Sequence, residues 1–272
     1  MKRIFTGIIA LVATSAFTTP VLAEPEKNHI PIRYDGFEVI LDCRERAPIF
    51  FHFNPKFDTA NYDRKEEFSL DPNIPKECQQ TSTKPYHIPY EIYATLGKEK
   101  RYHRGHFVDA NSMDFSPEAI AMTNYMTNII PMTQTVNQYG AWRGTEEYTE
   151  CLRDRLPNPE FSDDKRSFSV MGGPIWGDNE DNDYFMNTHG VRTPDYLWKV
   201  LYDKDALLND EPSVIAWIIP NSHDAVKRNL PDYRVKVSEI ERHIGFALPI
   251  RAELKQRDDM PLWEVPEKCN QS

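Results

Sequence analysis

Four groups of side chains in the middle of the chain could act together on one substrate. They are His103-Arg104-Gly105-His106, then Thr127-Asn128-Ile129-Ile130-Pro131, then Asn137-Gln138-Tyr139-Gly140-Ala141-Trp142, and Glu146 four positions later. A neutral imidazole can take a proton from water near pH 7. An asparagine carbonyl oxygen is a hard ligand suited to Mg²⁺ or a similar divalent cation such as Mn²⁺. A guanidinium binds a phosphate oxygen. Together these groups could hydrolyse a phosphodiester. Taken singly each is weak, because asparagine before a helix is commonly a cap and most histidines are satisfied surface or core groups.

Positive charge gathers just ahead of His106, in Lys98, Lys100, Arg101 and Arg104, with Tyr102 among them. These residues could hold a nucleic-acid backbone without reading bases. The rest of the chain cannot do so by bulk charge, since 32 basic residues face 42 acidic ones and the formal net charge is -10. GxSxG, HExxH, Walker and dinucleotide-binding patterns are all absent. The acidic run Asp178-Asn179-Glu180-Asp181-Asn182-Asp183 invites a calcium loop, but the sixth and twelfth positions of an EF-hand counted from Asp178 are Asp183 and His189. Gly and Glu belong there, so a solvated loop is the stronger reading.

The elements that must position these groups are mixed. Phe37 to Leu41 and Ala47 to Phe53 flank a short charged connection and predict a hairpin. Asn54 to Pro85 reads as a long polar loop pinned by Cys78. Ser116 to Asn128 reads as a helix, with Ser116 as N-cap, Pro117 at the first position and Glu118 in the first turn. Gly140 to Arg155 is a second helix candidate, and Val235 to Ile244 includes a short third. Val170-Met171 and Val214 to Ile219 are short apolar runs of the buried-strand kind. Without a βαβ rhythm the expected class is α+β, a mainly antiparallel sheet core with flanking helices.

At 272 residues, with 40% hydrophobic and 12% aromatic side chains, the chain suits one globular domain. The mean hydropathy of -0.62 excludes a multi-spanning membrane protein. Lys2 and Arg3, the apolar stretch Ile4 to Phe17 and the closing Val21-Leu22-Ala23 read as a signal peptide over residues 1–23. The expectation is therefore an exported protein, periplasmic or secreted, with one domain over residues 24–272 and no stable membrane association. Cys43, Cys78, Cys151 and Cys269 lack CxxC spacing, so two disulfides are expected. Three connectivities are open. Cys43 with Cys78 and Cys151 with Cys269 is preferred, because the second would tether the C-terminal tail.

The ordered motifs resemble those of the DNA/RNA non-specific endonucleases, a ββα-metal family that includes secreted bacterial nucleases and mitochondrial endonuclease G. That family carries Asp-Arg-Gly-His, then Ser-Asn-x-x-Pro-Gln, then Asn-Gln-x-x-Trp-x-x-Leu-Glu. Tyr34-Asp35-Gly36-Phe37 is similar to its opening strand. Gly172 to Trp176, Val191 to Lys199 and Ala216 to Asn221 are similar to its later strands, so the likeness covers roughly Ile32 to Leu248. The resemblance implies a ββα-metal site in which His106 is the general base and Asn137 the one direct protein ligand of Mg²⁺. It makes Glu146 a holder of metal-bound waters, Arg104 a phosphate contact, and Asn128 a supporting residue. It further implies DNA and RNA as substrates, products with 5′-phosphate and 3′-hydroxyl ends, and a homodimer as one open oligomeric state.

Three substitutions and one added residue qualify the resemblance. His103 stands for the family's Asp, Met132 for Gln and Thr145 for Leu, and Asn137 and Trp142 are five positions apart where the family has four. Nine residues of one continuous helix would set Asn137 and Glu146 about 180° apart, so the extra residue must be absorbed, with Gly140 the natural place. A fold that had lost catalysis and only binds nucleic acid is the competing expectation. Activity is expected to fall as pH drops through the pKa of His106, with His103 adding a second acid-side limb.

Overall fold

The computed structural model describes residues 28–60, 62–92, 101–267 and 269. The hairpin signal near the start is realised with one more strand. β1 (His29–Arg33), β2 (Phe37–Asp42) and β3 (Ala47–Phe53) form an antiparallel meander. Tyr34-Asp35-Gly36, expected to open a strand, form instead the turn between β1 and β2, with Gly36 at a φ of 91°. The chain then leaves this sheet for over a hundred residues before returning as β6 (Ser169–Ile175), β7 (Tyr196–Asp203) and β8 (Ser213–Pro220). The strand order is β1-β2-β3-β6-β7-β8, antiparallel throughout.

Both faces of this sheet are covered, which is why β7 is buried along nearly its whole length. Leu197 and Leu201 face one core with Phe51, Phe107, Trp142 and Leu152. Trp198 and Val200 face the other, closed by Val237 and Ile240 of a C-terminal helix and by Leu248, Leu254 and Met260 after it. The alternation of a strand's side chains feeds two cores from one apolar run.

The excursion between β3 and β6 carries the motifs. A second, two-stranded sheet pairs β4 (Tyr102–His106) with β5 (Ile129–Thr133), His106 opposite Ile129. Between them α1 spans Pro117–Thr123, capped by Ser116 Oγ, which accepts from the Ala119 N–H at 3.0 Å. It is shorter than the sequence predicts, because Asn124 and Asn128 are drawn into side-chain hydrogen bonds beyond its end. After β5 come α2 (Gln134–Gln138) and α3 (Ala141–Arg153), and later α4 (Met186–His189) and α5 (Val237–Ile244). Asn221 at the end of β8 fastens the small sheet to the large one. Its amide donates to the Pro131 and Pro194 carbonyls at 3.0 Å and accepts from the Thr133 N–H at 2.9 Å.

Both expected disulfides are present, Cys43–Cys78 and Cys151–Cys269, with Cα atoms 4.1 and 5.1 Å apart. The first pins the long polar loop to the β2–β3 turn of the large sheet, the second ties the tail to α3. Among the described residues no helix is long and apolar enough to cross a membrane.

Candidate active site

β4 and the α2–α3 pair form one wall of an open cleft of about 1280 Å³. Residues lining it include Arg104, His106, Asn137 and Glu146, together with His103 and Arg101. The ordered sequence motifs thus converge on one volume. Lys98 and Lys100 lie outside the described residues.

Strand alternation sets Arg104 and His106 on the same face of β4, and Phe68 from the long loop is the floor beneath both. The guanidinium of Arg104 lies 3.6 Å from the centre of that ring and donates to the Thr83 carbonyl at 2.9 Å. The His106 ring sits 5.5 Å from the Phe68 ring and is almost wholly buried. Its Nε2 is 2.9 Å from Oδ1 of Asn124. The Asn124 amide nitrogen is already committed as donor to the Lys65 carbonyl, so Oδ1 must accept and Nε2 must carry the proton. Nδ1 then holds the lone pair. Burial, reinforced by Arg64, pushes the imidazole down to about 4. The ring is neutral across the whole physiological range.

The extra residue between Asn137 and Trp142 is absorbed by a break. α2 ends at Gln138, Tyr139 leaves helical geometry, and Gly140 starts α3 afresh in an extended conformation. The Ala141 N–H donates to the Ala225 carbonyl at 2.9 Å, and Gly140 bridges Val226. A Cβ at Gly140 would lie 2.4 Å from the Ala225 oxygen and 2.6 Å from the Thr135 oxygen, so only glycine allows this approach. The break returns Asn137 and Glu146 to one cleft. Trp142 locks the arrangement by donating its indole N–H to the His106 carbonyl at 3.2 Å.

Glu146 is buried beside a second carboxylate, Asp109, and both effects raise its pKa. Two cations oppose them. Arg143 reaches Glu146 at 3.5 Å, and Lys199 of β7 approaches from the core side, its ammonium 3.8 Å from the centre of the Trp142 ring. Burial lowers the pKa of Lys199 while Glu146 and Asp109 hold it up. Asp109 itself is steadied by the N–H and hydroxyl of Ser112, both at 2.8 Å.

The donor chemistry suits a hydrated divalent cation. Asn137 offers a neutral amide oxygen engaged by no other described side chain, and Glu146 and Asp109 are carboxylates whose mutual repulsion a divalent cation would relieve. No group of three or more His, Cys, Asp or Glu side chains among the described residues could cage a metal. At the acidic run Asp183 is spent on Arg192 at 3.1 Å and on the Thr193 N–H at 2.8 Å.

Asn128 is not in the cleft. Fully buried, it donates to the Val108 and Thr123 carbonyls and accepts from the Val108 N–H, tying the chain after β4 to the start of β5. Met132 is also interior, its side chain against Gly105 where a Cβ would be 2.3 Å away, so this departure from the motif falls in the core. His103 lines the cleft, its pKa lowered by burial and by Arg101 and Arg104, and it is neutral near pH 7.

Sequence reasoning missed Asn124, Asp109, Arg143 and Lys199. Asn124 and Asp109 carry no local signal. Lys199 does, as a charge inside the apolar run Leu197-Trp198-Lys199-Val200-Leu201, since lysine is almost never fully buried without a task.

Comparison with known proteins fixes the family. The sequence matches the DNA/RNA non-specific endonuclease family over residues 13–253, and the chain belongs to it. It is 27% identical to "Nuclease EXOG, mitochondrial" of Xenopus laevis over 79% of this chain and 56% of that protein. Its identity to the Homo sapiens protein of the same name is 26%, over 78% of this chain and 55% of that one. With "Nuclease 1, mitochondrial" of Schizosaccharomyces pombe it shares 26%, over 84% and 66%. The chain spans little more than half the length of the Xenopus laevis, Mus musculus and Homo sapiens EXOG proteins. The fold superposes on EndoG from the crystal structure of the EndoG/EndoGI complex with a TM-score of 0.63 at 20% identity, covering 85% of this chain and 91% of that one. The fold is therefore that of a ββα-metal nuclease.

These relatives overturn the expected export. They are named mitochondrial nucleases, which points to mitochondria rather than the periplasm or the exterior. The composition of residues 1–23, basic at the start and free of acid, does not separate an export leader from an organelle leader, and those residues lie outside the described part.

Proposed function

We propose that the chain is a metal-dependent endonuclease that hydrolyses DNA and RNA through His106, with residues 24–272 acting as one nuclease domain. One observation supports this reading: His106 lines the cleft that also holds Asn137 and Glu146, and with its Nε2 pinned by Asn124 the nitrogen left basic is Nδ1.

In this reading Nδ1 of His106 takes the proton of the attacking water, and Asn124 stabilises the resulting imidazolium by accepting from its Nε2–H. Asn137 would hold Mg²⁺ directly and Glu146 would hold its waters. When bound, the metal supplies charge neutralisation at the phosphate and the departing 3′-oxygen. Arg104, kept flat by Phe68 and tied to Thr83, presents its remaining donors to a phosphate oxygen. Arg101 lies at the exposed edge for the adjoining backbone. Contacts of this kind fall on the backbone rather than on base edges, as cleavage indifferent to sequence requires, and departure of the 3′-oxygen would leave the phosphate on the 5′ end of the product.

Incubation with plasmid DNA and single-stranded RNA, in Mg²⁺ or in EDTA and beside His106→Ala, tests the proposal. Metal-dependent loss of both substrates, abolished in the variant, is the expected result. Well-folded protein that binds nucleic acid but cleaves neither substrate in Mg²⁺ or Mn²⁺ would leave a binding protein of this fold.

A further inference from the structure

We propose that Tyr139, placed at the cleft rim by the α2–α3 break, is a stacking platform for an unpaired nucleobase next to the cleaved phosphate. The proposal rests on the nuclease reading and adds a preference for single-stranded over duplex substrate.

Tyr139 lines the same cleft as His106, Asn137 and Glu146, yet its side chain is 59% exposed. A large ring left in water beside a buried site calls for an explanation, and packing does not supply it. Nor is the ring loose. Its hydroxyl is held by Gln134, whose Nε2 donates to it at 2.9 Å and to Oε1 of Gln138 at 3.3 Å. An aromatic face fixed before binding spends little entropy when a base lies on it.

Position gives the face its ligand. Tyr139 follows Asn137 by two residues, so their Cα atoms are at most about 7 Å apart. That span is about two steps of a stacked strand at 3.4 Å per nucleotide. A base on Tyr139 thus belongs to a nucleotide at or beside the phosphate under attack. The surrounding charge fits too, because Arg64, Arg101 and Arg104 line the cleft and can follow the backbone. A second half-exposed ring, Tyr62, lines it as well, at 49%. Cationic groups along a backbone with aromatic faces for the bases are how single strands are held without sequence preference. In a duplex the bases are already stacked and paired, and the ring has nothing to receive.

The test uses the full chain and a single-stranded oligonucleotide carrying 2-aminopurine, in EDTA so that nothing is cleaved. Binding to the wild type is expected to quench the probe at one or two positions. Tyr139→Ala should lose that quenching and bind about tenfold more weakly, and Tyr139→Phe, which gives up only the Gln134 contact, should keep the quenching and most of the affinity. In Mg²⁺ the ratio of kcat/KM on single strands to that on duplex should fall about tenfold in the alanine variant. Unchanged quenching and affinity in Tyr139→Ala would overturn the proposal, as would equal losses on single strands and duplex. Quenching that depends on Tyr139 in a protein that never cleaves would sink the nuclease reading and leave the stacking site standing.

Discussion

Nε2 of His106 lies 2.9 Å from Oδ1 of Asn124, and the asparagine can only accept, because its amide nitrogen is bound to the Lys65 carbonyl. One amide orientation in a loop therefore decides which histidine nitrogen is basic. The expected consequence is that Asn124→Leu, which keeps the size but not the acceptor, lowers kcat by about 10- to 100-fold out of the 10²- to 10⁴-fold typical of general-base catalysis. KM should move little, since Asn124 meets no substrate. Steady-state kinetics on one DNA substrate separates the two, and an unchanged kcat would remove Asn124 from the catalytic account.

Acidification should reveal the buried imidazole in stability rather than in activity. The folded pKa of His106 is about 4 against 6.5 for a free imidazole, so between those values the unfolded chain binds the extra proton and stability falls as pH falls. The His106 contribution to that loss is about 3 kcal/mol. Raised carboxylates such as Glu146 and Asp114 work in the opposite sense, and comparing urea unfolding of the wild type and His106→Asn at pH 4.5 and 7 isolates the histidine. The variant should lose less stability on acidification. The same burial revises the expected pH–rate profile, because the acid limb due to His106 moves to about pH 4, and burial together with Arg101 and Arg104 shifts that of His103 in the same direction.

Gly140→Ala should damage stability and chemistry together. The added methyl meets two backbone carbonyl oxygens that cannot step aside, at a cost of about 1–3 kcal/mol. Relief requires the α2–α3 break to open, which moves Asn137 relative to Glu146. A lower Tm with a raised Mg²⁺ requirement is the expected pair of outcomes. Wild-type Tm would show that the break tolerates a side chain.

Lys199→Met is expected to weaken metal binding from beneath the site. The ammonium sits on the Trp142 ring and opposes the repulsion between Glu146 and Asp109. Without it the buried carboxylate is harder to keep ionised, and the Mg²⁺ concentration for half-maximal activity should rise about 10-fold, within the range for residues behind a metal ligand. A Mg²⁺ titration of activity, with Tm measured alongside, checks this.

Metal dependence has its own signature. Mg²⁺ that binds the folded chain alone should raise Tm in proportion to the logarithm of its concentration above the dissociation constant. Asn137→Ala should abolish that rise and His106→Ala should retain it. A Tm indifferent to Mg²⁺ in the wild type would remove Asn137 as a ligand.

Much of this was legible in order along the chain. The hairpin of β2 and β3, the Ser116 cap and the glycine that absorbs the extra residue all follow from local rules of period, capping and backbone freedom, whereas the pairing of the four cysteines is open among three connectivities in the sequence and is decided by the fold. Local rules failed where a residue serves a distant partner. Asn128 belongs to a motif but is spent on Val108 and Thr123 inside the protein, and the helix expected up to it stops at Thr123.

The sequence by itself determined the family, the mixed antiparallel architecture and the residues from which a site is drawn, because those rest on spacing, and spacing is a property of the chain. Only the tertiary structure decided which of those residues meet. His106 is oriented from 18 positions away, Glu146 is balanced by a lysine from a strand of the other sheet, and Asn137 shares its cleft through a contact with Ala225. Protonation, burial and charge balance are set by neighbours in space, and no local pattern carries them.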